Sequence, residues 1–185
     1  MSEAVAVTEA ARHIVLVGPM GAGKTTVGAV LASRLGRPFV DTDDLVVAST
    51  GHSVAEVFAR EGEAGFRAHE RHAVADACAA PVPSVISCGG GAVLDSQSRA
   101  LLGGVGIVVW LDAPGGVLAD RLGEGSDRPL LAGGDPATTL ERIRELRSPA
   151  YDAVAGLRID TAGRSIAEVV EVVVVAISDA GEEAE

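Results

Sequence analysis

The stretch GPMGAGKTTVG, residues 18–28, holds the only lysine of the chain, Lys24, against fourteen arginines elsewhere. Gly18, Gly23, Lys24 and Thr25 satisfy G-x-x-x-x-G-K-[ST], with an apolar run before them and a helical pattern after. In such a loop glycines turn backbone N–H groups inward around phosphate oxygens, and the following helix adds its positive end. An ammonium reaches the β- and γ-phosphates as a compact point charge, whereas the wide planar guanidinium is no equivalent. Thr25 offers a hydroxyl to Mg²⁺. A bare glycine-rich turn is the bland alternative, and the flanking strand and helix patterns argue against it. The loop implies a nucleoside triphosphate and Mg²⁺, and names no second substrate.

Three further groups carry possible chemistry. In DTDD (41–44), Asp41 and Asp43 share one face of an extended segment. Close carboxylates are costly unless a metal or a proton transfer uses them; otherwise the cluster caps the next helix, with Asp44 placed as the cap. In SCGGGAV (87–93), Gly89, Gly90 and Gly91 allow close approach of a ligand to the backbone, or form a flexible βα loop. Arg67, Arg128 and Arg147 are each weak alone, since a scattered Arg is commonly a solvated surface residue. Arg128 lies in GEGSDRPLLAGG (123–134), whose composition is that of a lid able to bring an Arg onto a transferring phosphoryl group.

These groups need a scaffold. Strands are expected at 13–18, 37–43, 83–88, 106–112 and 156–160. Helices are expected at 24–35, at 54–80 with a break near Gly62, and at 114–122, 136–147 and 165–178. The alternation implies a three-layer α/β/α sandwich around a five-stranded parallel sheet, with ligands at the carboxyl ends of the strands. A single domain spans 1–185, with its core at about 13–177, a helical region at about 44–80, and frayed ends at 1–11 and 178–185.

The net charge of −11 opposes nucleic acid and anionic lipid as partners. No apolar run reaches the ~18 residues of a membrane span, and the first residues lack a secretory pattern. Cys78 and Cys88 show no metal or disulfide spacing, which suits a reducing cytoplasm.

The motifs GPMGAGKTTVG, DTD, FRAHE, GGGAV, RPLL, RSPAY and RIDT, over about 13–177, together resemble the shikimate kinases, a small-molecule branch of the P-loop proteins with the nucleoside-monophosphate-kinase-like fold. The resemblance implies phosphorylation of the 3-hydroxyl of shikimate by ATP, giving shikimate 3-phosphate and ADP on the route to chorismate and the aromatic amino acids. It implies that Gly21, Ala22, Gly23, Lys24, Thr25 and Thr26 bind ATP, with Arg121 stacked on adenine and Arg164 in the adenine loop. Thr25 and Asp41 would meet Mg²⁺, Asp41 mostly through water. Asp43 would bind the acceptor hydroxyl and take its proton. Arg67 and Arg147 would grip the carboxylate, Gly89, Gly90 and Gly91 would contact the ring hydroxyls, and Glu70 would position substrate-side groups. Arg128 would be the essential lid Arg, and the enzyme a cytoplasmic monomer. Two positions depart from the family: Asp44 stands where an apolar residue is common, and Ile166 where a Pro often lies.

The nearest rival is a kinase of the same fold acting on a sugar acid such as gluconate, or on a nucleoside monophosphate. A GTP-binding switch is excluded, because its [NT]-K-x-D segment requires a second lysine. A nucleic-acid-stimulated ATPase is opposed by the net charge and by the lack of a basic patch.

Overall fold

The computed structural model describes residues 12–123 and 134–182. The first strand, β1 (His13–Val17), is buried along its whole length. Ile14 and Leu16 enter one hydrophobic cluster, while Val15 and Val17 enter another. A strand buried on both faces needs helices on both, and this period-two division builds the three layers.

The sheet is completed by β2 (Phe39–Asp41), β3 (Val85–Ser87), β4 (Gly106–Asp112) and β5 (Leu157–Asp160), in the order β2-β3-β1-β4-β5. Every pairing is parallel. On one face α1 (Lys24–Leu35), α5 (Gly115–Leu122) and α7 (Ile166–Glu182) contribute Val27, Leu31, Leu118, Val169 and Val173. The other face is covered by α3 (Val54–Cys78), α4 (Ser96–Val105) and α6 (Pro136–Asp152), through Val74, Ala77, Leu102 and Tyr151. A smaller cluster joins α2 (Thr42–Thr50) to α3 through Val46, Val57, Phe66 and Ala73. There the rings of Phe58 and Phe66 stack at 4.4 Å.

Local signals set several boundaries. Ser53 and Glu56 form a reciprocal capping box at the start of α3. Gly62, at φ 70° and ψ −176°, breaks α3 into two arms, as its position in the sequence suggests. Gly18 is needed for space and for conformation. Its φ is +142°, and a Cβ there would lie 2.1 Å from the carbonyl oxygen of Leu111.

The structure corrects four expectations. Asp44 is not the cap of α2; the cap is Asp41, whose side chain accepts from the N–H of Asp43. Asp41 and Asp43 therefore do not share an extended segment, because the strand ends at Asp41 and the helix starts at Thr42. Helix α4 has no counterpart in the sequence reading, since Gly103 and Gly104 interrupt its apolar spacing, although Asp95 caps it by accepting from Ser98 N–H. Helix α6 continues through Pro149 to Asp152, and α7 continues to Glu182, so 178–182 are helical rather than frayed. Residues 1–11, most of 123–134 including Arg128, and 183–185 lie outside the described residues.

Candidate active site

The carboxyl ends of β1, β2 and β3 carry the chemistry. After β1 the chain turns through residues 18–23, and Gly23, left-handed at φ 93°, starts α1 with no side-chain cap. The first-turn N–H groups of such a helix favour an anion. Lys24 is buried, and its Nζ donates to the carbonyl oxygens of Gly18 and Pro19, both at 2.9 Å. These bonds hold the ammonium inside the curl of the loop formed with Gly21 and Ala22. Thr26 follows on α1, on its exposed side.

Thr25 Oγ1 donates to Asp41 Oδ2 at 2.8 Å, joining the start of α1 to the end of β2. The other oxygen of Asp41 accepts from Asp43 N–H at 3.0 Å. A hydroxyl beside a carboxylate is a hard oxygen set. It fits a cation such as Mg²⁺, which keeps waters and phosphate oxygens as its remaining ligands. Among the described residues no group of three His, Cys, Asp or Glu side chains forms a closed metal cage. A cavity of about 110 Å³ lies between the phosphate loop and β3, lined by Met20, Lys24, Thr25, Asp41, Asp43 and Gly90 among others. A larger groove of about 480 Å³ between α1 and α7 lies away from these groups.

Folding brings the remaining acceptor-side residues onto one loop. A Cβ added to Gly89 would lie 2.6 Å from Glu70 Oε1 and 2.9 Å from Asp43 Oδ1. Arg147 Nη1 donates to the carbonyl oxygen of Gly90 at 3.1 Å. A Cβ at Gly91 would lie 2.1 Å from Arg67 Nη1. Each glycine of the run thus has a charged side chain against it, which the sequence alone could not show. The Gly89 N–H donates to Thr42 Oγ1 at 3.0 Å and ties the loop to α2. Two arginines from α3 and α6 and two carboxylates from α2 and α3 therefore surround residues 89–91.

The charges there are coupled. Arg67 donates to Glu70 Oε2 at 2.6 Å and to Glu63 Oε1 at 3.2 Å. Burial pushes the Glu70 carboxyl up; the Arg67 cation pulls it back only in part, and the nearby Asp43 charge adds to the rise. Burial works against the Arg67 cation, but the two glutamates outweigh it and keep the guanidinium charged. Glu70 Oε1 is buried with no hydrogen-bond partner among the described residues. It faces the space beside Gly89, where a hydroxyl donor would satisfy it.

On the nucleotide side, Arg121 at the end of α5 donates from Nη1 to Thr161 Oγ1 at 2.8 Å and from Nη2 to Thr161 O at 2.6 Å. It also reaches the Gly21 carbonyl at 3.4 Å, so its guanidinium lies between the phosphate loop and the loop after β5. Arg164 lies in that second loop and is exposed.

Several residues are visible only in three dimensions. Tyr151 is fully buried, and its hydroxyl donates to the same Gly90 carbonyl at 2.7 Å, with burial pushing its pKa up to about 12. RSPAY marked this region in the sequence without showing what the Tyr bonds. Asp112, buried at the end of β4, binds Arg144 and Arg158. Nothing in the sequence connects these three positions.

The profile of the shikimate kinase family matches residues 20–178. A shikimate kinase of Symbiobacterium thermophilum is 49% identical over 172 residues, covering 92% of this chain and 98% of its own. The structure of a shikimate kinase from Acinetobacter baumannii in complex with shikimate superimposes with a TM-score of 0.87 at 36% identity, covering 92% of this chain and 95% of that one. A gluconokinase from Sinorhizobium meliloti matches at a TM-score of 0.64 and 23% identity, over 95% and 96% of the two chains, a likeness of fold alone.

Proposed function

The chain belongs to the shikimate kinase family and phosphorylates shikimate with ATP, a step towards chorismate; from this premise we propose how its residues divide the work. The observation that carries the assignment is the meeting of Arg67 and Arg147, 80 residues apart, on adjacent glycines of one loop. Shikimate carries one carboxylate on a ring with three hydroxyls. The two guanidiniums bind the carboxylate, since the planar fork matches it. The acceptor hydroxyl then lies toward Asp43, with Glu70 and the backbone of Gly89, Gly90 and Gly91 holding the ring.

The donor end follows from the phosphate loop. The backbone of 21–26, the start of α1 and Lys24 hold the phosphates of ATP, and Arg121 and Arg164 flank the base. Thr25 and Asp41 are the residues that would hold Mg²⁺, which supplies charge neutralisation at the phosphates when bound. Asp43 accepts the hydroxyl proton as the hydroxyl oxygen bonds to the γ-phosphorus, while the bond from that phosphorus to the β–γ bridging oxygen breaks and ADP leaves. Arg128 stabilises the transferring group, a role supported by the family motif RPLL. A cytoplasmic monomer completes the reading, since a net charge of −11 makes copies of the chain repel one another.

Isothermal titration with shikimate tests the clamp. Arg67→Ala and Arg147→Ala each raise the Kd roughly 10–100-fold with little effect on ADP binding. The double variant loses less than the product of the two, because both arginines act on one carboxylate. Independent losses would assign the arginines to different groups, and unchanged affinity in both would remove the clamp.

A further inference from the structure

We infer that Asp112 and Arg144 are a positioning pair for the acceptor site: their two-pronged ion pair fixes α6 so that Arg147 reaches the substrate carboxylate. The inference rests on Arg147 as a carboxylate ligand and adds residues that touch no substrate.

The geometry is specific. Arg144 Nε donates to Asp112 Oδ1 and Nη2 to Oδ2, both at 2.8 Å, so the guanidinium meets the carboxylate edge to edge. Such a pair constrains orientation as well as distance. Asp112 is 3% exposed and ends β4, so its position is set by the sheet. The third Arg144 nitrogen, Nη1, donates to Glu141 Oε1 at 2.6 Å, and Glu141 Oε2 accepts from the Gly115 N–H at the start of α5 at 2.5 Å. One face of α6 is therefore pinned to the end of β4 and the start of α5.

Arg147 and Tyr151 lie three and seven residues after Arg144, on the same helical face. Both donate to the Gly90 carbonyl, beyond the end of β3. Helix α6 thus spans from the end of β4 to the acceptor loop, with Arg144 as its anchor on the β4 side. Its own backbone is weakest in between. Pro149 has no N–H to offer the Glu145 carbonyl, and Ser148 Oγ bonds back to the Arg144 carbonyl at 2.9 Å. A helix that lacks a backbone bond just past its anchor, though continuous, leans more on tertiary contacts to hold its residues in place.

A second arm reinforces the first. Arg158 Nη2 donates to Asp112 Oδ2 at 2.7 Å, and its guanidinium lies 4.1 Å from the Trp110 ring centre. Trp110 in turn stacks on Tyr151 at 5.3 Å. Asp112 therefore reaches α6 directly through Arg144 and indirectly through Arg158, Trp110 and Tyr151. A shift of about 1 Å in α6 would move the Arg147 fork by as much, enough to disrupt a two-bond carboxylate contact.

The experiment measures shikimate and ADP affinity by titration, and kcat and KM by coupled ADP release, in Arg144→Met, Arg144→Lys and Asp112→Asn. The expected result is a shikimate Kd and KM raised about 10-fold in Arg144→Met, with ADP affinity and kcat within about three-fold of the parent. Arg144→Lys, which keeps the charge and loses the fork, falls between. In an Arg147→Ala background, Arg144→Met weakens shikimate no further, because it acts through Arg147. A merely structural role would lower stability without this selective, background-dependent loss. If Arg144→Met does not fold, the Lys and Asn variants decide by the same readings. Normal shikimate affinity in folded Arg144 and Asp112 variants, beside an impaired Arg147→Ala, overturns this inference alone. An Arg147→Ala that binds shikimate normally overturns the carboxylate reading and this inference with it.

Discussion

Gly91→Ala should displace a guanidinium without deleting it. The backbone at Gly91 has φ −104° and ψ −6°, a conformation open to alanine. The added Cβ would lie 2.1 Å from Arg67 Nη1 and 2.5 Å from its Cζ. The obstructing atoms are the far end of a flexible side chain, so the backbone stays and the guanidinium moves by at least about 1 Å, a displacement of the size that disables a bidentate contact. Movement also strains its bonds to Glu70 and Glu63. Charge-assisted hydrogen bonds are worth ~1.5–3 kcal/mol each, and 1.4 kcal/mol is tenfold in affinity. The shikimate Kd should therefore rise ~10–100-fold, while ADP affinity is kept and the melting temperature falls little or rises slightly, since alanine restricts the unfolded chain. Titration with shikimate and with ADP, with a circular-dichroism melt, reads all three. In an Arg67→Ala background the same substitution should add nothing. Parent-like shikimate affinity in Gly91→Ala, or an undiminished loss in the Arg67→Ala background, would refute the reasoning, the second by showing that the methyl meets the substrate itself.

Lys24→Arg should lower kcat/KM by at least ~10² with the fold retained, because the loop curls around a single nitrogen at 2.9 Å from two carbonyls; near-parent turnover would show that an ammonium is not required. Asp43→Asn should lower kcat ~10²–10⁴ and spare shikimate binding, whereas Asp44→Asn, at an exposed position, should be nearly silent; steady-state kinetics of the two variants would reveal the reverse ranking if the wrong carboxylate were assigned. Asp112 links the fold to pH. Burial alone would raise its carboxyl, but the bonds from Arg144 and Arg158 outweigh burial and hold it below the usual range. A depressed carboxyl contributes stability that is present above the unfolded-state value of ~3.9 and is lost as pH falls through the folded one. Asp112→Asn should thus cost about 3 kcal/mol at pH 7, and the difference from the parent should shrink below about pH 4; urea melts at pH 7 and pH 3.5 check this, and a difference that grows in acid would contradict it.

Much of the donor site is local and was legible in the residues themselves. A phosphate loop is one strand end, one run of glycines and one helix start, so Gly18, Gly23, Lys24 and Thr25 identify it by spacing. The parallel sheet was legible for a similar reason. Strands buried on both faces are short apolar runs, and 106–112 reads as β4 to the residue. Where a local signal was ambiguous the reading failed. Among the three acids of DTDD the spacing pointed to Asp44 as the cap of α2, but Asp41 takes that role because the sheet ends there and sets its backbone extended. Two glycines hid α4, whose burial of Leu102 against the sheet outweighs their low propensity. The acceptor site is different in kind. Arg67, Asp43, Glu70 and Arg147 come from three helices, and each is an ordinary polar residue in its own segment. Only the crossing of those helices over the end of β3 places four charges against Gly89, Gly90 and Gly91. The pairing of Asp112 with Arg144 across 32 residues has the same origin, because a carboxylate buried by a sheet must take whichever cations the covering helices bring within reach.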